Sequence, residues 1–244
     1  MVGVAPAAVV GISEASHASA PLQEFNNKVS STNWAGYAVT GGTFTDVKGT
    51  WTQPAVAKAC PSSATYASFW IGIDGYSSNS VEQIGTDSDC SGGHGVYYAW
   101  YEMYPAASVN IGSLTIHAGD VLTGEVKVSG TSFTLSLKDA TSGKTFSIKK
   151  TSSTAKKSSA EWIAESPEIC STTCTLAKLT DFGTVHFTNC EAATTGGDLP
   201  ISSFTGNSGP HQITMYNSAE TKVRASPSSL GSNGETFSVT WKSS

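Results

Sequence analysis

Residues two apart on a β-strand share a face, so alternation shows which side chains could work together. In residues 69–74 the face holding Trp70 and Gly72 also holds Asp74. In residues 97–104 one face carries Tyr98, Trp100, Glu102 and Tyr104, and the other carries Tyr97, Ala99, Tyr101 and Met103. In residues 161–165 one face carries Glu161, Ile163 and Glu165. Three segments thus each set a carboxylate on one face, two of them beside tryptophan. Acids interleaved with Trp and Tyr suit a cleft that grips a polymer and does acid–base chemistry on it. Taken singly, each residue has a plainer reading. Trp100 and Tyr104 suit a sandwich core, Asp74 before Gly75 suits a turn, and Glu161 suits a solvent-facing strand position. Glu102 between two aromatics argues against the plain reading, because a buried carboxylate needs partners.

Other catalytic sets find little support. His17, His94, His117, His186 and His211 form no H-E-x-x-H pair, so no metal site is expected. The stretch Gly206-Asn207-Ser208-Gly209-Pro210 has Asn where a serine-protease nucleophile loop needs Asp, and it reads as a turn. There is no G-x-S-x-G elbow and no phosphate-binding glycine loop. Asp74-Gly75 is followed by Tyr76 and has no second copy, unlike an aspartic-peptidase pair.

The elements that must hold these residues are short strands separated by turn signals. The pattern predicts strands over 33–41, 44–56, 64–74, 81–85, 96–105, 120–129, 132–137, 145–150, 160–165, 184–188, 212–216, 222–225 and 236–241. No long stretch of helical period occurs. The expected fold is all-β: an antiparallel two-sheet β-sandwich of the concanavalin A-like jelly-roll kind, with little helix. Residues 1–31 read as an N-terminal tail with a possible truncated secretory signal, apolar over 2–12 and carrying Ala18-Ser19-Ala20 before Pro21. Residues 32–244 read as a single sandwich domain.

Composition narrows the partners. The chain has 244 residues, a net charge of −5 and only 14% charged residues, against 37 Ser, 29 Thr and 24 Gly. Arg224 is the only arginine, and no basic stripe exists, which argues against nucleic acid. No apolar run is long enough for a membrane-spanning helix. Few ion pairs can be lost in acid, so tolerance of low pH is expected. Of five cysteines, Cys170 and Cys174 could close a small loop and Cys60 could join Cys90, both read as loop residues beside strands. Cys190 would then be free. Export to an oxidising, extracellular setting follows.

Four motifs occur in order: Phe69-Trp70-Ile71-Gly72-Ile73-Asp74-Gly75, Val81-Glu82-Gln83-Ile84-Gly85, Tyr98-Ala99-Trp100-Tyr101-Glu102-Met103-Tyr104-Pro105 and Ala160-Glu161-Trp162-Ile163-Ala164-Glu165. With Asn33-Trp34-Ala35-Gly36-Tyr37 and residues 182–188, they resemble the glutamic peptidases, or eqolisins, once grouped with the pepstatin-insensitive acid peptidases. The resemblance runs from about residue 33 to 241. It implies a catalytic glutamine at Gln83 and a catalytic glutamate at Glu165. It also implies a substrate cleft lined by Trp70, Asp74, Trp100, Glu102 and Tyr104. It implies endopeptidase action on proteins or peptides in acid, without metal or cofactor, by a secreted monomer. Ser166-Pro167 follows Glu165 where fungal members have an acidic and an aromatic residue. Fungal members also carry a pro-segment, for which the stretch before residue 32 looks short.

Two other readings compete. A glycoside hydrolase on a similar sandwich would pair Glu161 with Glu165, but regular strand rise sets their backbones roughly 13 Å apart. Carboxyl groups of inverting enzymes sit about 6.5–9.5 Å apart. A carbohydrate-binding module would use the same aromatic cleft without catalysis.

Overall fold

The computed structural model describes residues 15–17, 22–25, 28–56, 60–170 and 172–244. The apolar stretch 2–12 and the Ala18-Ser19-Ala20 site lie outside them. The described residues form β1 (Ala15–Ser16), β2 (Leu22–Phe25), β3 (Lys28–Ser31), β4 (Trp34–Val39), β5 (Asp46–Thr52), β6 (Ser68–Ile73) and β7 (Val81–Ser91). Next come β8 (His94–Tyr104), β9 (Val109–Asn110), β10 (Val121–Ser129), β11 (Ser132–Asp139), β12 (Thr145–Thr151) and β13 (Ala160–Glu165). The last are β14 (Glu168–Cys170), β15 (Cys174–Leu176), β16 (Thr184–Ala193), β17 (Leu199–Pro200), β18 (His211–Tyr216), β19 (Val223–Pro227) and β20 (Phe237–Trp241). Their only helical pieces are two 3-10 turns, Ile201–Ser203 and Gly206–Ser208.

Pairing arranges these strands in two packed layers. The first runs β3–β18–β4–β13–β6–β7–β8–β9. The second runs β12–β11–β10–β5–β16–β20. β19 bonds to both β18 and β20 and joins the layers at one end. All of these pairs are antiparallel except β3 with β18. A small third sheet, β1–β14–β15, hangs beside the end of β13.

The layers meet over a core of apolar side chains that includes Trp51, Phe69, Ile71, Trp162 and Phe187. Two glycines set the separation. Gly49 and Gly124 face each other on β5 and β10. A Cβ at Gly49 would lie 2.7 Å from Trp162 Cδ1, and one at Gly124 would lie 2.9 Å from Ile71 Cγ1. The bare backbone lets the Trp162 indole lie flush and donate its N–H to the Lys48 carbonyl at 2.7 Å. Trp51 likewise donates across the layers to Thr86 Oγ1 at 2.9 Å.

Three expectations change here. The short strand over 81–85 is in fact the long β7, because the polar run Thr86-Asp87-Ser88-Asp89 is buried and its side chains are bonded. Glu161 is not solvent-facing: it is fully buried, as are all six residues of β13. Cys90 lies inside β7 rather than in a loop, and it forms the disulfide with Cys60. Cys170–Cys174 is the second disulfide, and Cys190 is free and buried.

Replacing Gly49 by Val should force the two layers apart at Trp162. Overpacking of this kind costs about 1–3 kcal/mol, so G49V should melt several degrees below wild type in a thermal scan. An unchanged melting temperature would mean that the layers do not meet tightly at this point.

Candidate active site

The register of the first layer stacks its outward side chains in rows. One row is Trp34, Glu165, Ser68, Asp87 and Tyr98 across β4, β13, β6, β7 and β8. The next is Gly36, Ile163, Trp70, Gly85 and Trp100, and the third is Ala38, Glu161, Gly72, Gln83 and Glu102. Gly85 separates Trp70 from Trp100, and a Cβ there would sit 2.6 Å from Trp70 Cβ and 3.0 Å from Trp100 Cζ2. Glycine is thus what gives both indoles room to lie in the cleft. Trp34, Trp70, Val81, Trp100 and Ile163 pack as a second apolar cluster, with Tyr98 and Tyr104 against it.

Glu165, Glu102 and Asp87 are each held by a donor from an aromatic or amide side chain. Trp70 Nε1 donates to Glu165 Oε2 at 2.7 Å, and Asn33 Nδ2 donates to Glu165 Oε1 at 3.4 Å. Gln83 faces Glu102 across the ladder and donates to its Oε2 at 2.9 Å. Trp100 Nε1 donates to Asp87 Oδ1 at 2.6 Å. Tyr98 donates to Asp87 at 2.9 Å, and its hydroxyl also lies 3.0 Å from Asp89.

His17 fills the space between these groups. Its ring lies parallel to the Trp100 indole, with centroids 3.7 Å apart and planes 6° apart. Its backbone N–H donates to Glu102 Oε2 at 3.3 Å. Its carbonyl oxygen accepts from Gln83 Nε2 at 3.1 Å. Its Nδ1 lies 3.4 Å from Glu165 Oε2 without hydrogen-bond alignment. One residue therefore reaches Gln83 with its carbonyl and Glu165 with its side chain.

The structure thus gathers Gln83, Glu165, Trp70, Trp100 and Glu102 around one residue, with Tyr104 at the edge. Asp74 is placed differently. It sits in a left-handed turn (φ 73°), and its carboxylate accepts the N–H groups of Lys157 at 2.7 Å and Ser158 at 2.9 Å. Its hydrogen bonds go to that loop rather than to Gln83 or Glu165. Sequence reasoning missed Asp87, Asp89 and His17. The alternation Gln83, Gly85, Asp87, Asp89 would have found the two acids had the strand been carried past Gly85. Nothing in the sequence marked His17. The described residues hold one cluster with metal-ligand spacing, Glu168, Cys170 and Cys174, and its sulfurs are bonded to each other.

Burial dominates the electrostatics. It raises the Glu165 carboxyl well above its usual range, against the bonds from Trp70 and Asn33, which favour the ion. Burial, with Glu165 nearby, pushes Glu102 up to about 8. Asp87 and Asp89 are also raised by burial. Burial lowers His17, although Glu102 and Asp87 pull the other way. A second group lies beside the cleft. Burial lifts Glu82 to about 8, with Asp74 adding repulsion, and burial holds Glu161 well above normal. The arrangement combines an amide N–H aimed at a peptide carbonyl with a desolvated carboxyl close by. That set suits hydrolysis at a carbonyl carbon.

A sequence model described as the Peptidase A4 family matches residues 32–241. Aspergillopepsin-2 from Aspergillus niger is 33% identical over 199 residues, which cover 72% of this chain and 69% of that protein. The structure of scytalido-glutamic peptidase with a transition-state analog inhibitor superposes with a TM-score of 0.74 at 26% identity, covering 86% of this chain and 98% of that one. The structure of SCP-B, a member of the eqolisin family, in complex with the tripeptide Ala-Ile-His gives a TM-score of 0.69 at 26% identity, with the same coverage.

The raised carboxyls make stability depend on pH. Glu82 and Glu102 titrate at about 8 in the fold and at 4.5 by their ordinary value. Between these limits the native state holds more protons than the unfolded chain, so stability falls as pH rises. Each carboxyl contributes at most about 1.4 kcal/mol per pH unit. The melting temperature should therefore drop from pH 4.5 to pH 8, and Glu82→Gln should flatten that slope. A melting temperature that climbs over this range would contradict the protonated acids.

Proposed function

The chain belongs to the Peptidase A4 family of glutamic peptidases, hydrolases of peptide bonds, and on that premise we propose that it is an acid endopeptidase working through Glu165 and Gln83. Glu165 is the general acid and base, and Gln83 donates to the oxyanion. The observation that carries this reading is His17, a peptide residue whose carbonyl oxygen lies 3.1 Å from Gln83 Nε2 and whose ring nitrogen lies 3.4 Å from Glu165. A protein substrate takes the same path through the cleft. The tripeptide in the SCP-B structure ends in His, as Ala15-Ser16-His17 does.

The steps follow from the chemistry of the two side chains. The ionised fraction of Glu165, which the bonds from Trp70 and Asn33 favour against burial, takes a proton from water, and the resulting hydroxide adds to the scissile carbonyl carbon. The negative charge that develops on the oxygen is met by the Gln83 N–H, which needs no reorientation. Desolvation favours the protonated Glu165 until it passes its proton to the leaving amine. An amide as partner avoids two like charges competing for one proton, the situation of a carboxylate pair. Glu102 accepts from both the Gln83 amide and the His17 N–H. It thereby orients donor and substrate together. Trp70 orients Glu165, Trp100 offers a stacking surface, Tyr104 borders it, and Asp74 supports the cleft wall through the 157–158 loop. The two disulfides suit a secreted enzyme.

Gln83→Ala and Glu165→Gln should each cut kcat on casein at pH 4 by about 100-fold or more, with an unchanged circular dichroism spectrum. Wild-type activity should persist with pepstatin or a chelator. Full activity in either variant would remove that residue from the mechanism. Trp70→Phe deletes a bond that favours ionised Glu165, so the acidic limb of its pH–rate profile should move to higher pH. A limb that stays put would mean that the indole N–H does not tune Glu165.

A further inference from the structure

We propose that Arg224 is a positioning residue for Glu165: its buried guanidinium fixes both the backbone that follows Glu165 and the backbone that carries its Asn33 donor. The inference rests on the Gln83–Glu165 reading above. Arg224 is the only arginine in the chain and is 5% exposed. Its partners are three neutral oxygens. Nη1 donates to the Thr32 carbonyl at 3.1 Å, and Nη2 donates to Ser166 Oγ and to the Ala177 carbonyl, both at 3.0 Å. No carboxylate among the described residues pairs with it. A buried charge without a counter-ion is unfavourable, and an apolar side chain of similar length would pack there with less penalty. What an apolar chain lacks is a rigid fork of donors that draws oxygens from three segments to one point.

Those segments lead to Glu165. Thr32 precedes Asn33, whose side chain donates to Glu165 Oε1 at 3.4 Å. Ser166 follows Glu165 directly, and its N–H donates to the Asn33 carbonyl at 2.8 Å. Ser166 Oγ donates to the Ala177 carbonyl at 2.8 Å, and the Ala177 N–H donates to the Pro167 carbonyl at 2.9 Å. Arg224 thus closes a ring of bonds around the start of β4 and the end of β13, where Trp34 lies opposite Glu165. Local structure aims the side chain. Ala225 pairs with Met215 and Val223 with Tyr216, so Arg224 is the extra residue of a bulge in β19. A bulge re-aims the side chain it carries. The Arg224 carbonyl accepts the N–H groups of Lys242 at 2.8 Å and Ser243 at 3.1 Å, which holds the bulge from its other side.

The charge has a second effect. Glu168 on β14 and Glu102 on β8 oppose ionisation of Glu165, and Asp87 on β7 lies in its row. His17 Nδ1 is 3.4 Å from Glu165. β4 and β6 set Trp34 and Ser68 beside it, which do not titrate. A guanidinium stays charged throughout the acid range, and a buried charge is screened little by salt. Arg224 therefore favours the ionised Glu165 against the surrounding acids.

The test compares wild type, Arg224→Met, Arg224→Lys and Glu165→Gln in the full chain. It reads kcat and KM on casein across the acid range, each corrected for the folded fraction by circular dichroism. Arg224→Met keeps the length of the side chain and removes the charge and the three bonds. Its kcat should fall about tenfold or more with KM within about twofold of wild type. The acidic limb of its pH–rate profile should move to higher pH. Arg224→Lys keeps the charge without the fork, so both readouts should lie between wild type and Arg224→Met. If Arg224→Met does not fold, Ser166→Ala takes its place. It deletes one of the three acceptors and should lower kcat about threefold or more at unchanged KM. A kcat loss that only follows the folded fraction would overturn the proposal, as would an unmoved limb or a Lys variant no better than the Met variant. Glu165→Gln separates the two claims. If it is inactive while Arg224→Met matches wild type, positioning by Arg224 fails alone. If it keeps full activity, the Gln83–Glu165 reading fails as well.

Discussion

A carboxylate removed from water costs several kcal/mol unless donors replace its hydration, and the outer face of the first layer buries a set of them. Glu165, Asp87, Glu102 and Glu161 all lie on that face with essentially no exposure. Indole groups meet much of the cost. An indole brings one N–H on a large apolar body, so it can desolvate an acid and bond to it at once. Trp70 does this for Glu165 and Trp100 for Asp87. Protonation meets the remainder, which is why burial is the leading cause of every raised carboxyl in the cleft.

Large rings on a pleated sheet need space on both sides of it. On the cleft side Gly36 and Gly85 share a row with Trp70 and Trp100, and Gly72 lies in the next row. On the core side Gly49 and Gly124 let Trp162 and Ile71 close the gap between the layers. The strands of the cleft are therefore clamped from two directions. β4, β6 and β13 have no exposed residue at all. Rigid placement of this kind lets Gln83 and Glu165, two strands apart, converge on a single peptide residue.

The scarcity of charge takes on a different meaning in this light. A low charged fraction suggested tolerance of acid because few ion pairs could be lost. The structure supplies a stronger cause: several of the 19 acids are buried where the neutral form is favoured. Acid then supports the fold instead of eroding it, and the same desolvation acts on Glu165.

The all-β class, most strands, both disulfide pairings and the residues Trp70, Gln83, Trp100, Glu102 and Glu165 were legible in the sequence. Alternation and turn residues are local signals, and the four ordered motifs are contiguous. What escaped was whatever depends on a distant partner. Thr86-Asp87-Ser88-Asp89 looks like a polar loop until Gln53, Tyr98 and Trp100 are brought against it, and β7 then runs to Ser91. Glu161 looks solvent-facing until β4 and β6 close on either side of β13. Asp74 shares a face with Trp70 by count, yet its left-handed backbone turns its carboxylate to the 157–158 loop. His17 carries no motif, and only the pairing of β1 with β14 lays it across Gln83 and Glu165. Local pattern determined which residues could do chemistry. Tertiary packing alone decided which are dry, because a carboxyl group loses its water only when the rest of the chain displaces it.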